Sequence, residues 1–90
     1  MSEDPLIFKY EIRPFADILM PKDAEILSVG EQNGALMLWA AVDPDKPTGQ
    51  RVIHVVPTGT PIRVATRTLI GNVQMRNGLV FHIFDGGYRT

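Results

Sequence analysis

The chain has no cysteine in its 90 residues. That excludes disulfides, thiol nucleophiles and zinc–thiolate centres. Serine is almost absent too: Ser2 and Ser28 are the only two. Neither sits in the strained strand-to-helix turn that exposes a serine nucleophile. His54 and His82 are the only imidazoles, and both are flanked by apolar, strand-like residues. No His-x-His, Glu-x-x-His or Asp-x-Asp spacing marks a metal site. No excess charge of either sign exists: nine Lys+Arg stand against ten Asp+Glu, for a formal net charge of −1. A dedicated nucleic-acid binder needs a basic footprint, so that class is not expected. No apolar run approaches the roughly 18 residues of a membrane helix. The opening Met1-Ser2-Glu3-Asp4-Pro5 is acidic, unlike a signal peptide. The expectation is a soluble protein of the cytoplasm.

What is there is a normal globular share of apolar residues, 44%. The length fits one domain, residues 1–90. A domain of this size buries only about 60–65% of its unfolded surface and is marginal alone. With no staple, self-association into a homo-oligomer is expected.

The periodicity is that of strands. Leu6, Phe8, Tyr10 and Ile12 alternate with Ile7, Lys9 and Glu11, and Pro14 ends the run. Ala16–Met20, Ala24–Gly30, Ala35–Val42, Arg51–Val56, Thr68–Arg76 and Leu79–Phe84 follow. No stretch offers three helical turns free of proline, glycine and β-branched runs. Asp43–Gln50, with two prolines and a glycine, reads as a surface loop. The fold class is all-β: a small antiparallel β-sandwich or barrel of about seven short strands. Two Asn-Gly dipeptides, Asn33-Gly34 and Asn77-Gly78, mark hairpins.

Two-residue turns fix a register for each hairpin. In the first, Gln32 faces Ala35 and Val29 faces Leu38. Leu27, Val29, Leu36, Leu38, Ala40 and Val42 then share a core face. Met37, Trp39 and Ala41 take the other face, opposite Gly30, Ser28 and Ile26. In the second, Val73 faces His82 and Met75 faces Val80. Leu79, Phe81 and Ile83 then lie opposite Arg76, Gln74 and Asn72. Arg67, Arg76 and Arg89 read as solvated.

One loop carries the chemistry. In Arg51-Val-Ile-His54-Val-Val-Pro57-Thr58-Gly59-Thr60-Pro61-Ile62-Arg63 a strand feeds a tight turn. Gly59 permits positive φ or a close backbone approach. Thr58 and Thr60 offer hydroxyls and backbone N–H groups. Arg51, His54 and Arg63 add donors. Backbone nests with arginine hold phosphate or carboxylate, whereas the plain alternative is a turn. Trp39 is the one stacking platform for a base or ring, or else a core or interface residue. The candidate ligand-binding set is Trp39, Arg51, His54, Thr58, Gly59, Thr60 and Arg63. No catalytic residues, metal or cofactor are expected.

Several segments in order carry a resemblance: Phe8-Lys9-Tyr10, Met20–Val29, Gln32-Asn33-Gly34 and Leu38-Trp39-Ala40-Ala41-Val42-Asp43-Pro44. It continues through Arg51, Thr58-Gly59-Thr60-Pro61-Ile62, Ile70-Gly71-Asn72-Val73-Gln74 and Gly78–Phe84. The chain resembles a family of small bacteriophage and prophage proteins without an agreed activity. Relatives often carry a histidine where this chain has Thr60. The resemblance implies an accessory protein that counters host defence. It would do so by sequestering a nucleotide-derived signal without catalysis, or by docking on a host defence protein or a phage structural partner.

Overall fold

In a computed structural model, described over residues 4–63 and 68–90, the chain is seven strands and, among those residues, no helix. Arg67 lies outside them. Strands β1 (Leu6–Glu11), β3 (Glu25–Gln32) and β4 (Ala35–Val42) form one antiparallel sheet in the order β1-β4-β3. Strands β2 (Ile18–Pro21), β5 (Thr48–Pro57), β6 (Thr68–Gln74) and β7 (Val80–Tyr88) form a second, in the order β2-β5-β7-β6. The sheets pack face to face as a sandwich-like pair. No helix among the described residues is long and apolar enough to cross a membrane.

Alternation builds the core. β4 alternates half-buried and buried positions, so Leu36, Leu38, Ala40 and Val42 all point inward. Met20 of β2, Ile53 of β5, Val73 of β6 and Ile83 of β7 meet them from the second sheet. At about 25 cal/mol per Å² of apolar burial, side chains of this size each contribute about 1.5–3 kcal/mol.

The first hairpin has the register the sequence predicts: Gln32 pairs with Ala35 and Val29 with Leu38. Asn33 (φ 53°) and Gly34 (φ 83°) are both left-handed, as a type I′ turn demands. Beyond Ser28 the expected pattern fails. Leu27 is an extra residue in a β-bulge, so Ile26 pairs with Ala40 and Glu25 with Ala41. Ile26 therefore packs on the core, and Leu27, expected inside, is 45% exposed.

The second hairpin corrects the expected register. Asn72 pairs with His82, Val73 with Phe81 and Gln74 with Val80. The loop holds three residues, not two. Gly78 N–H donates to Met75 O (3.0 Å), Met75 N–H donates to Leu79 O (2.7 Å), and Gly78 takes φ 91°. That is a type I turn closed by a glycine bulge. One residue of slip reverses every face. Val73 therefore joins Phe81 and Ile83 on the core side, while Asn72 and Gln74 share a face with His82.

Two further segments are strand where loop composition suggests otherwise. Thr48–Gln50 pair with Leu19–Pro21 of β2, inside the expected Asp43–Gln50 loop. β7 also runs on past Phe84 through Asp85-Gly86-Gly87-Tyr88. Gly86 is the bulged residue there, since Val52 pairs with Gly87 and Ile53 with Asp85.

Candidate functional site

Strand β5 delivers His54 and then the Pro57–Thr60 turn. Thr60 N–H donates to Pro57 O at 3.3 Å, and Gly59 sits at φ 92°. This is the type II turn that requires positive φ at its third residue. A Cβ on Gly59 would meet nothing within 4 Å. Its role within the fold is conformational, since no other part of the protein presses against it.

The loop's threonine donors are taken within the fold. Thr60 Oγ1 donates to Pro57 O at 2.7 Å. Thr58 N–H donates to Val80 O at 3.0 Å, tying the loop to β7. Thr58 Oγ1 lies 2.8 Å from His82 Nε2, and His82 Nδ1 lies 2.7 Å from Asn72 Oδ1. An amide oxygen only accepts, so Nδ1 carries the proton and Nε2 accepts from the threonine hydroxyl. Thr58, His82 and Asn72 thus form a polar chain across three structural pieces. The sequence does not join them, because the register expected for a two-residue turn puts Asn72 and His82 on opposite faces.

The groove lies on the other side of the turn. It has a volume of about 520 Å³ and brings His54, Thr60, Pro61 and Arg63 together with Phe15 and Phe81. Its lining is mostly apolar, with the imidazole and the guanidinium as its charged or chargeable groups. Phe15, in the β1–β2 connection, holds a left-handed φ of 63° and is wholly exposed. A bulky residue at such φ is strained, which is uncommon away from functional surfaces. His54 lies over Gly86: a Cβ there would come within 2.9 Å of Nε2. Gly86 is therefore what lets the imidazole occupy this position.

Arg51 is elsewhere and is buried, at 8% exposure. Nε donates to Asp85 Oδ1 (2.9 Å) and Nη2 to Asp85 Oδ2 (2.6 Å) in a two-pronged ion pair. Nη1 donates to Ala24 O at 2.9 Å. The guanidinium stacks 4.6 Å from the Tyr88 ring centre. Tyr88 Oη donates to Pro21 O and accepts from Ala24 N–H. The arginine expected to hold phosphate instead clamps the Pro21–Ala24 turn to β5 and β7. The hydrogen bond to Arg51 holds the Asp85 carboxyl below the ordinary carboxylate value, against the opposing effect of burial.

Trp39 is also apart from the loop. It sits on the outer face of the three-stranded sheet, opposite Ser28, with its ring over Gly30. There it lines a shallow depression with Ile7 and Leu27. Of the seven predicted ligand residues the structure brings His54, Thr60 and Arg63 into one groove. Thr58 and Gly59 line a separate depression with Ile62 and His82, and Arg51 and Trp39 lie outside the groove. Phe15 and Phe81 complete the groove. The register expected for the second hairpin misplaces Phe81, and nothing local in the sequence marks Phe15.

Among the described residues no group of three or more His, Asp or Glu is placed to hold a metal ion.

Fold and groove define a small β-sandwich, without helix among the described residues, with a cleft lined by Phe15, Phe81, His54 and Arg63. The chain belongs to the family described as a domain of unknown function (DUF7352), whose model matches residues 5–89. No curated protein and no solved structure matches it.

Proposed function

We propose that the groove between Phe15, His54 and Arg63 binds a small molecule that joins an anionic group to a flat ring, as a phosphate-bearing nucleotide does. The observation that carries the reading is the pairing of chemistries in one cleft. Arg63 and His54 supply donors for phosphate, and Phe15 and Phe81 supply faces for a base. The protein holds its ligand without transforming it. On this reading, which leans on the resemblance to phage proteins, it is a phage accessory protein that sequesters a nucleotide-derived immune signal in the cytoplasm of the bacterial host, acting as a homo-oligomer.

Native mass spectrometry against a panel of linear and cyclic nucleotides tests this. A bound ligand of unchanged mass is expected. Arg63→Ala and Phe15→Ala should each weaken it about tenfold or more while the fold stays intact, in line with the loss of one charge-assisted or stacking contact. A protein that ignores the whole panel, or an Arg63→Ala variant that binds like the parent, overturns the reading.

A second reading rests on a different observation. Ile7, Leu27 and Trp39 leave an apolar depression on the outer sheet face. Such patches serve protein partners, here a host defence protein or a phage structural component. Trp39→Ser should then abolish capture of that partner and leave nucleotide binding untouched.

A further inference from the structure

A sheet edge presents unpaired backbone N–H and C=O groups to any strand that approaches, and proteins guard such edges. The two sheets have edges at β1, β3, β2 and β6. β3 and β6 guard each other. A Cβ on Gly71 would stand 3.3 Å from Val29 Cγ2, and Glu31 pairs with Arg76 at 3.5 Å. β2 has only four residues and ends at Pro21, which has no N–H to offer a further strand. β1 has neither device, and only the charges of Lys9 and Glu11 guard it. It runs six residues without a proline. It also turns apolar side chains outward on both faces: Ile7 is 65% exposed on the outer face, and Leu6 (50%) and Phe8 (38%) are exposed on the inner one.

We propose that β1 is the interface of a two-fold homodimer, pairing antiparallel with β1 of a second copy so that the two three-stranded sheets become one. The occupant follows from the strand's own charges. A two-fold axis normal to the sheet brings like faces together, so it must pass through a residue and not between two. Centred on Tyr10, it sets Lys9 opposite Glu11 of the second copy and Glu11 opposite Lys9 of the second copy. Centred on Lys9, it sets two lysines face to face. Centred on Phe8, it leaves both charges opposite uncharged residues. The Tyr10 register therefore gives two reciprocal ion pairs on the outer face. On the inner face it gives the exposed Phe8 an apolar mate, Ile12 of the second copy. A groove of about 330 Å³ beside Tyr10, lined also by Ile18 and Leu19, opens along the same stretch and receives that phenylalanine. Pairing also adds burial to a domain too small to bury much alone. The interface is independent of the nucleotide reading.

A charge swap tests it. Lys9 bonds Gln32 and Glu11 pairs with Arg13, all at exposed positions, so exchanging these charges leaves the core intact. Sedimentation velocity should show a dimer for the parent. Lys9→Glu and Glu11→Lys should each weaken dimerisation about tenfold, as opposed pairs become like-charged. Mixing those two variants should restore a one-to-one dimer, since each acidic strand then faces a basic one. The double swap should dimerise as the parent does. Circular dichroism confirms that each variant is folded. A parent that stays monomeric at every accessible concentration, single variants that dimerise undiminished, or a mixture that fails to pair would each overturn the proposal.

Discussion

Arg51 grips Asp85 with two parallel hydrogen bonds, 2.9 and 2.6 Å long, beneath the ring of Tyr88. The pair joins β5 to β7, and its third donor fastens the Pro21–Ala24 turn. Removing one partner of a shielded pair leaves the other charge without compensation, at a cost of about 3–5 kcal/mol when burial is complete. Asp85 keeps 21% of its side-chain exposure, so the lower end of that range applies. Arg51→Ala is expected to lower unfolding free energy by about 3 kcal/mol in urea titration. At concentrations where it remains folded, it should bind nucleotide as the parent does. Lost binding by a folded Arg51→Ala protein would return this residue to the ligand site.

The same pair sets an acid limit. Asp85 titrates below the ordinary carboxylate value because of its hydrogen bonds from Arg51, helped by the Gly87 N–H. The unfolded chain therefore binds a proton at higher pH than the folded one, and stability rises with pH across that window. The contribution is complete above the unfolded value, near pH 4. It disappears as pH falls through the depressed folded value. Asp85→Asn should be less stable at neutral pH and should lose less on acidification. Melting temperatures from pH 7 down to about pH 3 give the comparison. Parallel curves for the two proteins would show that the acid dependence arises elsewhere.

Much of this fold is legible in the sequence, because period-two alternation and Asn-Gly turns are local signals. β4 and the first hairpin follow directly from them. The same dipeptide misleads at Asn77-Gly78, where a three-residue loop slips the register, separates Asn72 from Phe81 and joins it to His82. Leu27 escapes the pattern because nothing local announces a bulge. The sequence points Arg51 at a ligand because its partners, Asp85 and Tyr88, lie in a Gly-Gly segment that resembles a turn and is strand only through pairing with β5. Trp39 and the loop are both conspicuous in sequence, but strand order puts them in different sheets. His54, Thr60 and Arg63 do converge, since a strand and the turn that follows it stay neighbours in any topology. Phe15 joins them through the sandwich alone.

The chain from Thr58 through His82 to Asn72 is expected to act as a latch on the Pro57–Thr60 turn. Thr58→Val keeps the shape and removes the hydroxyl, leaving Nε2 to water. Because the site is exposed and the Thr58 N–H bond to Val80 persists, the cost should be only about 0.5–1.5 kcal/mol. Nitrogen-15 NMR should find His82 as the Nδ1–H tautomer in the parent. An Nε2–H tautomer would reverse the donor order assigned to the chain.

Gly86 ties the Asp85 clamp to the groove. It is the bulged residue opposite β5, and a Cβ there would lie 2.9 Å from both His54 Nε2 and Val52 Cγ1. The imidazole can swing away, but Val52 Cβ, at 3.1 Å, is fixed to the strand. Gly86→Ala must therefore shift backbone as well as side chain, at about 1–3 kcal/mol. A displaced His54 enters the groove and takes the space of the ligand's anionic group. The variant should lose both stability and nucleotide binding, whereas His54→Ala should lose binding alone. Adding His54→Ala to Gly86→Ala should recover part of the lost stability, because the clash with the ring is gone. If the double variant melts where Gly86→Ala does, the strain lies wholly against Val52 and the bulge does not govern His54.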